Sequence, residues 1–196
     1  MYNTGSSPTL TNVTFNGNTS NFRGGGMYNF STSNPSLTSV TFTSNSAVTN
    51  GGAMSNNNSA PTLINCTFTS NTATTSSSGG ALFYESSSGG SIMNSTFTSN
   101  SALSAGAIYL EFTTLSITNS NFLSNSATGA PGAGNGGAIV NSSSGILTMD
   151  QVSFRTNTAT NTGGAFANAA GGSATLTKVA FSTNTAVNNG GGIFTA

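Results

Sequence analysis

Two short motifs alternate along the whole chain. The first motif, Phe-x-x-Asn, occurs seven times, with an average spacing of about 28 residues. The second is Gly-Gly-Ala followed by an apolar residue, and its copies start at Gly24, Gly51, Gly79, Ala105, Gly136, Gly163 and Gly190. A regular period of this length is typical of proteins built from stacked structural units, each of which contacts only its neighbours.

The two arcs between the motifs differ in how strictly their length is kept. From each glycine motif to the next Phe there are always 17 or 18 residues, whereas the interval from Phe to the glycine motif varies from 8 to 14. The constant arc is therefore expected to carry the regular structure. The variable arc is expected to be a surface loop, and its longest insertion lies at 128–135.

Apolar residues within the constant arc recur at fixed places. They stand five and two residues before most copies of Phe, and three residues after the start of each glycine motif. Alternation with period two over four to six residues predicts short strands with one buried face, and the step of three between two apolar positions predicts a bend. Several such strands in each unit predict an all-β fold, a parallel β-solenoid (β-helix) of about seven coils over residues 1–196.

Stacked coils place equivalent residues above one another, which gives the conserved Asn and Phe of the motif a structural role. An Asn amide both donates and accepts hydrogen bonds, so it can bond to the Asn of the next coil and to the backbone of a turn. We therefore predict a buried ladder of Asn18, Asn45, Asn71, Asn100, Asn125, Asn157 and Asn184. The aromatic positions predicted to stack beside it are Phe15, Phe42, Phe68, Phe97, Phe122, Phe154 and Phe181.

Composition excludes several classes of function. The chain has three basic and three acidic residues, no His and one Cys, which argues against an electrostatic nucleic-acid interface, a zinc or haem site and a Ser-His-Asp triad. We expect no cofactor, no metal and no enzymatic activity. No apolar run is long enough to cross a bilayer, the N-terminus lacks the features of a signal peptide, and Cys66 stands where other repeats have Val, as in a core.

The motifs resemble the repeats of the polymorphic outer membrane protein family. The matching copies are GGAM at 51–54, GGAL at 79–82, GGAI at 136–139, FTSN at 42–45, 68–71 and 97–100, and FLSN at 122–125. The resemblance covers essentially the whole chain. It implies a right-handed parallel β-helix carried as a secreted or surface-exposed passenger, and many members of the family look like adhesins.

Carboxylates are the first candidates for a functional site. Glu85 and Glu111 both lie six residues after the start of their glycine motifs, so they are expected on adjacent coils. Such a pair could bind a cation or act in catalysis, but an exposed, solvated pair is the favoured interpretation. Asp150 is expected near Lys178, where a surface ion pair would contribute little stability.

A second candidate surface is formed by threonines that flank Phe in three consecutive repeats: Thr41, Thr43, Thr67, Thr69, Thr96 and Thr98. A flat Thr-x-Thr array of this kind resembles the ice-contacting face of β-solenoid antifreeze proteins, with spacings set by strand geometry. Strand propensity alone also explains Thr at these positions, and this is the favoured interpretation, with ice binding as the alternative.

Glycosylation is a further possibility. Among several Asn-x-Ser/Thr sequons, Asn12, Asn65 and Asn94 share one position of the repeat that is expected to face outward. By contrast, Asn18 also starts a sequon but is expected to be inaccessible within the ladder.

The predicted function follows from the repeat. Met1-Tyr2-Asn3 matches Met27-Tyr28-Asn29, and the chain ends at the same point of the repeat, which favours a segment of a longer solenoid or a subunit that stacks end to end. We predict a non-enzymatic extracellular or cell-surface rod, stalk or fibre. The alternatives are an adhesin that binds a host or carbohydrate surface through loops such as 128–135, and an ice-binding protein.

Overall fold

The computed structural model describes residues 1–75, 78–130, 132–169 and 171–196, and within them every regular element is a β-strand. Each coil contributes one strand to each of four parallel sheets, which we number in the order in which the chain visits them. Sheet 1 contains Tyr2–Thr4, Met27–Phe30, Met54–Asn57, Leu82–Glu85, Ile108–Glu111, Ile139–Ser142, Phe166–Asn168 and Ile193–Thr195.

The other three sheets have seven strands each. Sheet 2 contains Thr9–Thr11, Ser36–Thr38, Thr62–Ile64, Gly89–Met93, Thr114–Thr118, Ile146–Asp150 and Ser173–Thr177. Sheet 3 contains Thr14–Asn16, Thr41–Thr43, Thr67–Thr69, Thr96–Thr98, Asn121–Leu123, Ser153–Arg155 and Ala180–Ser182. Sheet 4 contains Thr19–Ser20, Ser46–Ala47, Thr72–Ala73, Ser101–Ala102, Ser126–Ala127, Thr158–Ala159 and Thr185–Ala186.

Every coil pairs with the coil before and after it in the same register. In sheet 3, Phe68 pairs with Phe42 on one side and with Phe97 on the other. The order of strands within each sheet follows the order of coils along the chain, and the stack has about seven turns of roughly 27 residues. The predicted parallel β-solenoid is thereby confirmed.

The interior is filled by the apolar positions that the repeat predicts. Leu37, Leu63, Ile92, Ile117 and Met149 in sheet 2 are fully or almost fully buried. They form one continuous cluster with the phenylalanines of sheet 3 and with the apolar residues that start the strands of sheet 1. Because each coil is thin, this core exists only where coils stack.

The glycine motif marks the corner where sheet 4 leads into sheet 1. Its first residue has a left-handed φ, as at Gly51 (66°), and Ala105 takes the same conformation with φ 55°. The second glycine is required by crowding: a Cβ on Gly52 would lie 2.3 Å from the carbonyl oxygen of Gly80 and 2.5 Å from that of Thr72. The motif is therefore fixed by one backbone conformation and one close approach of backbones.

Other corners also use left-handed residues, but most of them are not glycine. The residue before every Asn of the ladder has a positive φ, as in Ser44 (53°), Ser70 (55°), Ser99 (54°) and Ser124 (54°). Most left-handed residues at these corners are Ser, Thr or Asn, whose short polar side chains satisfy backbone groups locally. Within the described residues, no helix is long and apolar enough to span a membrane.

Candidate functional site

The asparagine ladder runs the length of the stack between sheets 3 and 4. Oδ1 of Asn71 accepts hydrogen bonds from the backbone N (3.0 Å) and from Nδ2 (3.0 Å) of Asn45 in the preceding coil. Nδ2 of Asn71 donates to Oδ1 of Asn100 (3.0 Å) and to the carbonyl oxygen of Phe42 (2.9 Å). The side chain thus uses both donors and its acceptor, and the predicted ladder is present.

One part of that prediction is wrong. Asn45, Asn71, Asn100, Asn125 and Asn157 are completely buried, but Asn18 is exposed and Asn184 is half-buried. These two lie in the outermost described coils, where the ladder has a neighbour on one side only. Within the described coils Asn18 is therefore exposed, whereas the sequence predicts it to be buried.

The seven phenylalanines of sheet 3 form one face-to-face column beside the ladder. Successive ring centroids are 4.7–5.0 Å apart, and the ring planes differ by 2–13°. This spacing follows the distance between paired strands, which is about 4.8 Å. The column and the ladder are internal, so their role is to hold the coils in register.

Sheet 1 carries a second ladder that the sequence analysis missed. Asn3, Asn29 and Asn56 occupy equivalent inward positions. Asn3 Nδ2 donates to Asn29 Oδ1 (2.7 Å), and Asn29 Nδ2 donates to Asn56 Oδ1 (2.8 Å). The ladder resumes in later coils, where Asn141 Nδ2 donates to Asn168 Oδ1 (2.9 Å). Asn recurs five residues after the first glycine of these repeats, and this periodic signal could have revealed the ladder.

Tyr84 interrupts the second ladder. It occupies the position that follows Asn56 in the register of sheet 1, is completely buried, and its hydroxyl finds no hydrogen-bond partner among the described residues. Burial raises the pKa of the Tyr84 hydroxyl, and the nearby Cys66 acts in the same direction. Burial likewise raises the pKa of the Cys66 thiol, which fits a core residue rather than a reactive cysteine.

The outward face of sheet 1 carries aromatic residues at equivalent positions. Tyr2 and Tyr28 pack with ring centroids 5.6 Å apart, as do Phe83 and Tyr109. Ser55 stands between the two pairs in the register. The guanidinium of Arg23 also lies on this face, with its Cζ 5.8 Å from the centroid of the Phe83 ring.

The acidic residues are placed differently from the sequence expectation. Glu85 is not a solvated partner of Glu111, because its Oε1 accepts hydrogen bonds from Arg23 Nη1 and from Asn57 Nδ2. Its side chain is only 15% exposed. Arg23 lies two coils away, so the residues that form this ion pair are 62 positions apart, a separation that no local pattern reveals.

The expected ion pair between Asp150 and Lys178 does not form in the described structure. Asp150 pairs in sheet 2 with Thr118 and Thr177, and its Oδ2 accepts from Gln151 Nε2 at 3.5 Å. Among the described residues, no cluster of three or more His, Cys, Asp or Glu side chains could hold a metal ion.

The Thr-x-Thr array exists as a surface feature on three coils. Thr67 pairs with Thr41 and Thr96, and Thr69 pairs with Thr43 and Thr98, so the side chains form two parallel columns. All six side chains are half-buried. Farther along, the columns continue with Asn121 and Leu123, which end the regular array.

The three sequon asparagines also share one outward position. Asn12, Asn65 and Asn94 are exposed at the corner between sheets 2 and 3, each with a left-handed φ of 51–56°. Oδ1 of Asn94 accepts a hydrogen bond from Asn119 Nδ2 (2.8 Å) on the next coil. Their accessibility agrees with the expectation, and their glycosylation remains a prediction.

The loop proposed for attachment, 128–135, includes Pro131, which lies outside the described residues. The described parts of the loop pack closely on the next coil, where Thr160 Oγ1 donates to the carbonyl oxygen of Gly129 (2.6 Å). Asn135 Oδ1 accepts hydrogen bonds from Asn161 (2.7 Å) and Thr162 (2.8 Å). The described parts are thus tied to the solenoid body.

Comparison with known proteins gives one match. Residues 65–85 match the family model of the Chlamydia polymorphic membrane protein repeat, and this segment contains one copy of each motif, FTSN at 68–71 and GGAL at 79–82. No curated protein and no solved structure matched the chain. Residues 65–85 are thus similar to this repeat, and the parallel β-solenoid fits a β-helix repeat family of the polymorphic membrane protein type.

Proposed function

We propose that this chain is a non-enzymatic structural repeat protein that forms a rod or stalk outside the cell or on its surface. The observation that carries the proposal is the unbroken register of all four sheets over every coil. A stack of this kind is rigid along its axis and, at about 4.8 Å per coil, extends by a fixed step for each repeat. The matched repeat belongs to a family described as membrane proteins, which supports a surface location.

The placement of the carboxylates supports a role without catalysis. Glu85 is held by Arg23 and Asn57, whereas Asp150 lies in sheet 2. Most glycoside hydrolases use two carboxyl groups that flank the bond to be cleaved. The arrangement of these side chains suits a scaffold better than an active site.

We further propose that another coil stacks on the outermost coils along the axis of the rod. Phe15 and Phe181 at the two outermost coils are half-buried, whereas their equivalents between them are fully buried. A further coil would complete the phenylalanine column and the ladder. That coil can come from a continuation of the same chain or from a second copy that stacks end to end.

Two measurements test the rod. Negative-stain electron microscopy of the purified chain is expected to show rods or end-to-end fibres, and antibodies against the chain are expected to label intact, unpermeabilised cells. Globular particles would contradict the rod, and labelling only after permeabilisation would contradict the surface location. A strictly monomeric state at high concentration in light scattering would remove self-stacking and leave continuation of the chain.

The paired threonine columns favour one second candidate, ice binding. If the array contacts ice, the protein will show thermal hysteresis, and Thr67→Tyr will abolish it by breaking the flat surface. Thr62→Tyr, in the middle coils of sheet 2, is the matched control and should retain it. Absence of hysteresis in the unmodified protein would remove this candidate.

A further inference from the structure

A cleft of about 440 Å³ lies at the corner where sheet 1 leads into sheet 2, in the middle of the stack. Residues from several successive coils line it, including Ser87, Gly90, Phe112, Thr114 and Ser144. The cleft therefore exists only because the coils stack, and it belongs to neither the ladders nor the threonine array.

Phe112 is the unusual residue of this cleft. It follows the last residue of its sheet 1 strand and has a left-handed φ of 50°. Every equivalent position for which φ is positive holds a small or polar residue: Gly5, Ser31, Asn58, Ser86 and Ser143. A left-handed backbone is costly for a bulky side chain, and such strain is typical of functional positions.

Packing does not account for Phe112. Its side chain is 56% exposed, so the ring contributes little to the core, and Ser at the same place in the neighbouring coils supports the same turn. Its backbone groups are hydrogen-bonded to the neighbouring coils: Phe112 N donates to the carbonyl oxygen of Ser143 (3.1 Å), and its carbonyl accepts from Ser87 N (2.9 Å). The aromatic ring is thus a feature of the surface rather than of the fold.

Gly89 and Gly90 line the cleft where the backbones of neighbouring coils approach closely. A Cβ on Gly90 would lie 2.1 Å from the carbonyl oxygen of Pro61, and one on Gly89 would lie 2.6 Å from that of Thr114. Gly90 also has a φ of 112°, which side chains rarely adopt. At these two positions the lining of the cleft is therefore backbone, and a side chain would not fit there.

Free hydroxyl groups surround the ring. Ser87, Thr114 and Ser144 are exposed, and within the described part of the chain their hydroxyls make no hydrogen bond. A hydroxyl both donates and accepts, so it matches the hydroxyl groups of a sugar. An aromatic face complements the C–H face of a pyranose ring, because both are apolar and flat.

The charges near the cleft define which sugar it suits. The lining residues are uncharged. Glu111 directly precedes Phe112 in the sequence, whereas the Glu85 carboxylate is paired with Arg23. An acidic sugar would find no positively charged partner in this lining, whereas a neutral one would meet hydroxyls, backbone and the ring. We propose that this cleft binds a neutral sugar ring, with Phe112 as its stacking platform. This goes beyond the proposed rod, which needs no ligand.

The test measures sugar binding by the whole chain with saturation-transfer NMR and titration calorimetry. The probes are maltopentaose, the pentasaccharide of N-acetylglucosamine, a galactose oligosaccharide and, as the acidic comparison, sialyllactose. We expect millimolar or tighter binding of at least one neutral probe, with transfer to the C–H protons of one ring face, and no binding of sialyllactose.

Two variants locate the binding. Phe112→Ser places the residue of the neighbouring coils at a position where Ser is already tolerated, so it should fold normally and weaken binding about tenfold or more. Phe22→Ser is the matched control, because Phe22 is also 56% exposed but lies far along the chain, in a different coil. This control should bind sugar as the unmodified protein does.

A third variant probes the hydroxyls. Thr114→Val keeps the shape and strand propensity but removes one hydroxyl, and it should weaken binding several-fold. The proposal is overturned if no neutral probe binds, if Phe112→Ser retains the affinity, or if Phe22→Ser alone abolishes binding. Rods that remain intact in electron microscopy while sugar binding fails would remove the cleft and leave the structural role.

Discussion

At the scale of single residues, neutral amides do the work that charge or a large apolar centre does in many other folds. Each inner ladder asparagine is buried with both donors and its acceptor satisfied, as in Asn71. Burial of such a group is tolerated only when its partners are all present. The ladder therefore specifies the stacking register as well as supporting it.

Replacement of Asn125 should be strongly destabilising. Asn125→Leu removes its hydrogen bonds to the backbone N of Asn100 and to the carbonyl of Phe97, at a cost of about 1–3 kcal/mol for each buried group left unpaired. Denaturant unfolding followed by circular dichroism measures the effect. Asn121→Leu, an exposed change in the same coil, is the control, and an equal effect of both variants would refute the ladder's role.

The orphan hydroxyl of Tyr84 leads to the opposite expectation. Tyr84→Phe removes a buried group without a partner among the described residues, so it should raise the free energy of unfolding by about 1–3 kcal/mol. Tyr109→Phe is the control, since that hydroxyl accepts a hydrogen bond from Ser142 (3.1 Å), and it should be neutral or slightly destabilising. A loss of stability in Tyr84→Phe would contradict this account.

The same tyrosine predicts a dependence on pH. Burial raises its pKa in the folded state above the unfolded value of about 10. Ionisation of Tyr84 therefore leaves the free energy of unfolding unchanged below about pH 10 and lowers it as the pH rises above that value. The unmodified protein should lose stability in this alkaline range, and Tyr84→Phe should lose less. Identical pH profiles in thermal melting of the two proteins would show that Tyr84 is not responsible.

At the scale of elements, the corners determine where strands begin and end. The strands have only two to five residues, too short for strand propensity alone to define them, and the corners between them are fixed by left-handed residues and by close backbone contact. The glycine motif combines both requirements. The ion pair of Arg23 with Glu85 adds a connection between non-adjacent coils.

A test of the glycine corner separates its two physical causes. Gly52→Ala would place a Cβ against two carbonyl oxygens and should cost about 3 kcal/mol or more, because backbone on both sides must move. Gly17→Ala meets nothing within 4 Å but has a φ of 66°, so it reports the conformational cost alone, about 1 kcal/mol. Comparable melting temperatures of the two variants would argue against crowding at Gly52.

At the scale of the whole molecule, stability is shared between neighbouring coils, because the core is continuous and each coil buries its apolar face only against the next. The inward-facing apolar side chains that form the core of the middle coils are buried, whereas Leu10, Val13, Leu176 and Val179 are only partly buried. The middle of the stack should accordingly be the last part to open.

Hydrogen exchange measures this gradient. Amides in the strands of sheets 1 to 3 between residues 54 and 154 should exchange more slowly than those in 1–20 and 173–196, because opening in the middle disrupts two interfaces. Mass spectrometry of peptides resolves the coils. Uniform protection along the chain would indicate that the stack opens as one unit, or that further coils or copies cover both ends.

The sequence by itself determined the repeat, the four inward columns of the constant arc and the neutral ladder. These features depend on period and side-chain type, which a linear pattern contains. It also indicated the Thr columns and the exposed sequon position, since both follow once coils lie in register. The second ladder was within reach, because Asn29, Asn56, Asn141 and Asn168 keep one distance from their glycines.

Only the tertiary structure decided the features that depend on single departures from the repeat. Arg23 reaches Glu85 across two coils, Asp150 and Lys178 form no ion pair in the described structure, and Phe112 lines the same cleft as Gly89 and Gly90. A periodic pattern fixes which residues share a column, but the direction and reach of each side chain depend on the space that neighbouring coils leave. That space arises from packing in three dimensions, to which the period contributes no information.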